Sequence, residues 1–121
     1  MESFKYLLVI GGAGVLGSAI IKVFKNNTTS WKICAIDFSE NNLADKNIII
    51  DKDVKFNEDL VKKLYTDIES FTKTFHAIFH VAGGWIKGSV KNIEVFTETE
   101  QMFDKNYYSC LLGKINIDSL A

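Results

Sequence analysis

Apolar residues along this chain fall into short continuous runs that alternate with longer stretches of helical period. Lys5–Ile10 (KYLLVI) is closed by glycines and reads as a strand buried on both faces. From Val15 to Asn26, Leu16, Ile20, Val23 and Phe24 recur at helical spacing, and Asn26, Asn27, Thr28 and Thr29 mark the turn that follows. Lys32–Ile36 is a second strand, stopping at Asp37. A polar loop with a short turn or helix leads to a weaker third strand, Ile48–Ile50. Asn57 caps a helix with Glu58 and Asp59 in its first turn and Leu60, Val61, Leu64, Tyr65, Ile68 and Phe71 on its apolar face. Phe75–Val81 is the fourth strand. Thr97–Glu100 has the form of a capping box, and Phe103, Tyr107, Cys110 and Leu111 continue as a helical stripe.

The order is therefore β-α-β-β-α-β-α. Strands alternating with helices predict an α/β fold, a Rossmann-like doubly wound parallel sheet with helices on its faces. At 121 residues the chain holds one domain, residues 1–121, with one core.

The turn after the first strand carries candidate chemistry. Gly12-x-Gly14-x-x-Gly17 follows a strand and opens a helix, which is the context a dinucleotide fingerprint requires. Gly12 permits the tight turn, Gly14 lets backbone approach a pyrophosphate, and Gly17 lets the helix pack on the strand. The helix N-terminus offers unpaired N–H groups and a partial positive charge to phosphates. Every basic residue is lysine, so these backbone donors matter more where no guanidinium fork is available. Asp37 ends the second strand 20 residues after Gly17, where a carboxylate can accept hydrogen bonds from an adenosine ribose. The same charge repels a 2′-phosphate, and Phe38 and Ser39 supply no cation, which predicts NADH over NADPH.

Composition narrows the partners. A net charge of −1 with interspersed signs gives no electrostatic case for nucleic acid or an anionic membrane. No apolar run is long enough for a bilayer and the N-terminus lacks a signal-peptide pattern, so a cytoplasmic (cytosolic) protein is expected. Cys34 and Cys110 lie in apolar stretches and read as buried free thiols. His76 and His80 would sit roughly 13 Å apart on a strand, too far to share a metal ion, and read as partly buried strand histidines. Lys62 and Lys63 form a solvated helix face. Tyr107 and Tyr108 read as one surface and one core residue.

Together the glycine-rich turn, the acid after the second strand, Val81-Ala-Gly-Gly-Trp85 after the fourth and Asn106 in the last helix resemble the short-chain dehydrogenase/reductase family. Gly-Gly-x-Gly-x-Leu-Gly with Val-Ala-Gly-Gly-Trp is similar to its quinoid dihydropteridine reductase branch, from about Tyr6 to Leu112. The resemblance implies a cytosolic homodimer that associates through helices and reduces quinonoid dihydrobiopterin to tetrahydrobiopterin with NADH. It implies that Gly11, Gly12, Gly14, Leu16 and Gly17 surround the pyrophosphate, and Asp37 the ribose. Ala82, Gly83 and Gly84 would pass under the cofactor. Trp85 would stack on the pterin, its alternative role being a hydrophobic plug in the loop. Asn106 would support the active-site hydrogen-bond network. The family's Tyr-x-x-x-Lys pair, a proton donor and the lysine that lowers its pKa, is not matched: Leu111 and Leu112 stand four residues after Tyr107 and Tyr108. The expectation is four strands in the order 3-2-1-4, an apolar edge at the fourth, and a chain truncated before that helix with little activity alone. A short-chain reductase with a carbonyl substrate, and a non-catalytic chain that pairs with a full-length subunit, are the alternative readings.

Overall fold

The structure, a computed structural model, describes residues 4–27, 30–83, 94–117 and 120, with the backbone alone for 94–99 and 115. Its elements are β1 (Lys5–Ile10), α1 (Val15–Lys25), β2 (Trp31–Asp37), β3 (Lys46–Ile49), α2 (Glu58–Phe71), β4 (Ala77–His80) and α3 (Glu94–Ile117). The four strands form one parallel sheet in the order β3-β2-β1-β4.

The central strands are apolar without alternation because both faces are covered. Leu7 and Val9 of β1 and Ile33 and Ala35 of β2 face α1, where they meet Ile21. Leu8, Ile10, Cys34 and Ile36 point the other way, against Val61, Leu64 and Ile68 of α2 and Leu112 of α3. The pleat thus sends successive residues of one strand into two cores. β4 lies at the edge, and its four residues are all half-buried or exposed.

Helix α2 starts where its cap residue predicts: Asn57 Oδ1 accepts the Leu60 N–H at 3.0 Å, and Val61, Leu64 and Ile68 are its buried face. Several expectations are corrected. β3 begins two residues earlier than Ile48, because Asp45, just before it, is tied to β2. The Asp45 N–H donates to the Ile33 carbonyl, and its carboxylate accepts the Ile33 N–H and the Lys25 ammonium at 2.8 and 2.7 Å. Phe75 is not in β4 but fills the core with no exposure, bridging to Leu120. Thr97 lies inside α3, which starts at Glu94, so it caps nothing.

Most of the stripe predicted on α3 faces solvent: Phe103 is 65 % exposed and Tyr107 52 %, Cys110 is exposed with them, and Leu111 is half-buried. Ile117, 55 % exposed, extends that face. The inward face instead carries Leu112, Gly113 and Asn116, with Leu112 packed into the core beside Ile10 and Ile36. Only Cys34 is the buried thiol that was expected. Burial pushes its pKa up to about 12. One thiol, Cys110, is expected to react with a disulfide reagent in the native protein and the second only after denaturation; two rapid native thiols would contradict this packing.

Asp45 makes folding acid-sensitive. Burial alone would raise its pKa, but the hydrogen bonds from Lys25 and Ile33 outweigh this and hold it below the ordinary carboxylate value. A group depressed in the folded state stabilises fully above its unfolded pKa, about 3.9, and that contribution is lost as pH falls through the folded value. Asp45→Asn should therefore melt lower than wild type at neutral pH, with the gap closing below about pH 4. A gap independent of pH would show that charge plays no part.

Candidate functional site

A cavity of about 250 Å³ opens at the carboxyl ends of the strands, where β1 lies between β2 and β4 and the chain changes direction across the sheet. Open parallel sheets place ligands at such a switch point. Its volume lies just below the ~300–1,000 Å³ of pockets that enclose whole small molecules, a fit for part of a dinucleotide.

One wall is the turn after β1. Gly11 has φ 99°, and a Cβ there would come within 2.6 Å of the Ala82 nitrogen. The positive φ that the tight turn needs therefore sits at Gly11, not at Gly12 as the pattern suggested. Gly12 is glycine for a different reason: its Cβ would lie 2.6 Å from the Cβ of Ala35 on β2. A Cβ on Gly17 would run into the Gly11 carbonyl oxygen, so α1 can rest on the turn only because that position has no side chain. Around Gly14 the only neighbour a Cβ would meet among the described residues is the Gly11 oxygen at 3.5 Å. Gly14 caps α1 without a side chain, and the first turn holds no acidic residue. Its first N–H groups lack intrahelical partners. This open, backbone-lined cradle fits a pyrophosphate. Leu16 projects from it, 60 % exposed.

Asp37 lies against the turn and lines the same cavity. Its Oδ2 accepts the Ala13 N–H at 2.9 Å and its Oδ1 accepts the Phe38 N–H at 2.7 Å. A carboxylate has about four acceptor positions, so the two oxygens can also take a ribose diol. Asn41 and Ser18 brace the same turn, donating to the Gly12 carbonyl at 3.0 and 3.3 Å. Sequence reasoning missed both. Asn41 is one of several polar residues in a polar loop, and only its position above the turn sets it apart.

Val81, Ala82 and Gly83 form the opposite wall, and Gly83 faces the Asn106 side chain of α3. Tyr108 and Ser109 continue that wall. His80, at the end of β4, bonds Ser109 Oγ at 3.1 Å, and Ser109 donates to the Asn106 carbonyl. Burial lowers the His80 pKa, which favours the neutral ring. His76 is exposed, contrary to expectation, with Nδ1 accepting the Tyr6 N–H at 3.0 Å. The two histidines are thus engaged separately, and no group of metal-ligating side chains occurs among the described residues. Nor is any helix among them long and apolar enough to cross a membrane.

The structure thus brings Gly11, Gly14, Asp37, Ala82, Gly83 and Asn106 to one cavity. Gly12 and Gly17 lie behind it as packing positions. Gly84 and Trp85 lie outside the described residues.

No family model matches the chain. A dihydropteridine reductase of Dictyostelium discoideum is 36% identical over 105 residues, covering 87% of this chain and 43% of that protein. A short-chain dehydrogenase family protein from Francisella tularensis superposes with a TM-score of 0.75 at 23% identity, over 98% of this chain and 47% of its own. A Serratia marcescens short-chain dehydrogenase/reductase variant gives 0.71 at 14% identity, covering 96% and 52%. The chain spans about half the length of each of these proteins. Over nearly all of its own length, it is similar to part of a short-chain dehydrogenase/reductase and, in sequence, to part of a dihydropteridine reductase.

Proposed function

We propose that these residues form the NADH-binding part of a reductase acting on a quinonoid dihydropterin. The observation that carries the dinucleotide reading is the Asp37 carboxylate, held by the Ala13 N–H beside the open glycine cradle and lining one cavity with the Ala82–Gly83 wall. Gly11 and Gly14 with the start of α1 would hold the pyrophosphate, and Asp37 the adenosine ribose. The cofactor would supply the hydride. The negative Asp37 favours NADH over NADPH. The name of the Dictyostelium relative supports a dihydropterin as acceptor, with Trp85 stacking on it and Asn106 supporting the hydrogen-bond network.

Because no Tyr-x-x-x-Lys pair occurs in the 121 residues, we expect them to bind nucleotide but turn over little substrate alone. Calorimetric titration should show saturable NADH binding that ADP-ribose competes away; absence of binding would overturn the reading. Trp85→Ala should lose pterin binding and keep NADH. Equal pterin binding by both proteins would remove Trp85 from the site, and no pterin binding by either would favour a carbonyl substrate instead. The exposed Phe103, Tyr107, Cys110 and Ile117 stripe supports a homodimer formed through α3. Sedimentation at increasing concentration tests that assembly.

A further inference from the structure

A cation reaches the ribose side of the cavity from a distant part of the chain. The residues after Asp37 carry no positive charge, yet Lys105 of α3 lines the same cavity as Asp37 and Phe38. Its ammonium lies 5.5 Å from the centre of the Phe38 ring. That ring is itself held edge-on against the buried Phe56, with centroids 6.1 Å apart. The Phe38 N–H is also one of the two donors to the Asp37 carboxylate. Lys105 therefore hangs over a fixed aromatic platform next to the group that would select against a 2′-phosphate.

The charges around it are mixed. Lys52, Lys55, Asp53, Glu100 and Asp104 line an adjoining cleft that shares Phe56 and Lys105 with the cavity. No carboxylate forms an ion pair with Lys105 among the described residues. Its ammonium is thus available to a phosphate at the mouth of the ribose site, and lysine is a sufficient point-charge partner for one.

We propose that Lys105 is a specificity-determining residue that offsets Asp37 and admits the 2′-phosphate of NADPH, so that the preference for NADH is graded rather than absolute. The inference rests on the nucleotide-binding reading above. It is tested by dissociation constants of NADH and NADPH for wild type, Lys105→Ala and Lys105→Arg at low and high salt. Lys105→Ala should weaken NADPH about fivefold or more and leave NADH within about twofold. Lys105→Arg should retain NADPH, and added salt should shrink the difference between wild type and Lys105→Ala. Equal weakening of both dinucleotides, or unchanged NADPH binding, overturns the role of Lys105 while the NADH site stands. A wild-type protein that binds neither dinucleotide overturns both.

Discussion

Gly17→Ala is expected to lower the melting temperature by about 10 °C or more, corresponding to roughly 3 kcal/mol. The added methyl would overlap the Gly11 carbonyl oxygen and approach the Gly11 carbonyl carbon and the Gly12 Cα to 2.8 and 2.9 Å. Carbon atoms pack best at about 3.5–4.0 Å. All three neighbours are backbone, so no rotamer change relieves the clash. Either α1 lifts off the sheet, or the turn moves and its contact with Ala82 opens. Gly14→Ala is the informative partner, because among the described residues its methyl meets only the Gly11 oxygen at 3.5 Å. That variant should fold, losing about 1 kcal/mol or less at the cap, and should lose NADH affinity as the methyl enters the cradle. Thermal melts together with NADH titrations separate the two. A Gly17→Ala protein as stable as wild type would show that the helix does not rest on the turn as described.

The second large effect belongs to Asp37. Asp37→Ala should weaken NADH binding roughly 10–100-fold, as expected for losing one to two hydrogen bonds to a charged group. It should also destabilise the protein by about 1–2 kcal/mol, because the Ala13 N–H loses its acceptor. Asp37→Asn keeps one acceptor oxygen and should fall between the two on both measures. Since the same carboxylate serves the turn and the proposed ribose, stability and affinity should decline together across the three proteins. NADH affinity unchanged in Asp37→Ala would remove this carboxylate from the site.

The parts of this fold that were legible in the sequence are those where one local requirement dominates. The KYLLVI run had to be a strand covered on both sides, and Asn57 had to cap α2 because its side chain is the nearest acceptor for an orphan N–H. Helix α3 misled because helical spacing marks an apolar stripe without saying which way it faces. Its packed face is chosen by contact with the sheet, where Leu112 joins the core formed by Leu8, Ile10 and Ile36. The glycine pattern was likewise legible as a turn, but the work of each glycine was not. A left-handed φ at Gly11 and a clash with Ala35 at Gly12 depend on strands far apart in the chain.

By itself, then, the sequence determined the alternation of strands and helices, the parallel sheet, and the two features that point to a dinucleotide: the glycine turn and Asp37. These follow from hydrophobic period and backbone freedom, which act over a few residues. Only the tertiary structure decided that Ala13, Ser18 and Asn41 brace the turn, that most of the stripe of α3 faces solvent, and that Lys105 stands over Phe38. Except for Ser18, which reaches Gly12 six residues away, those outcomes are set by distances between segments dozens of residues apart, which no local pattern encodes.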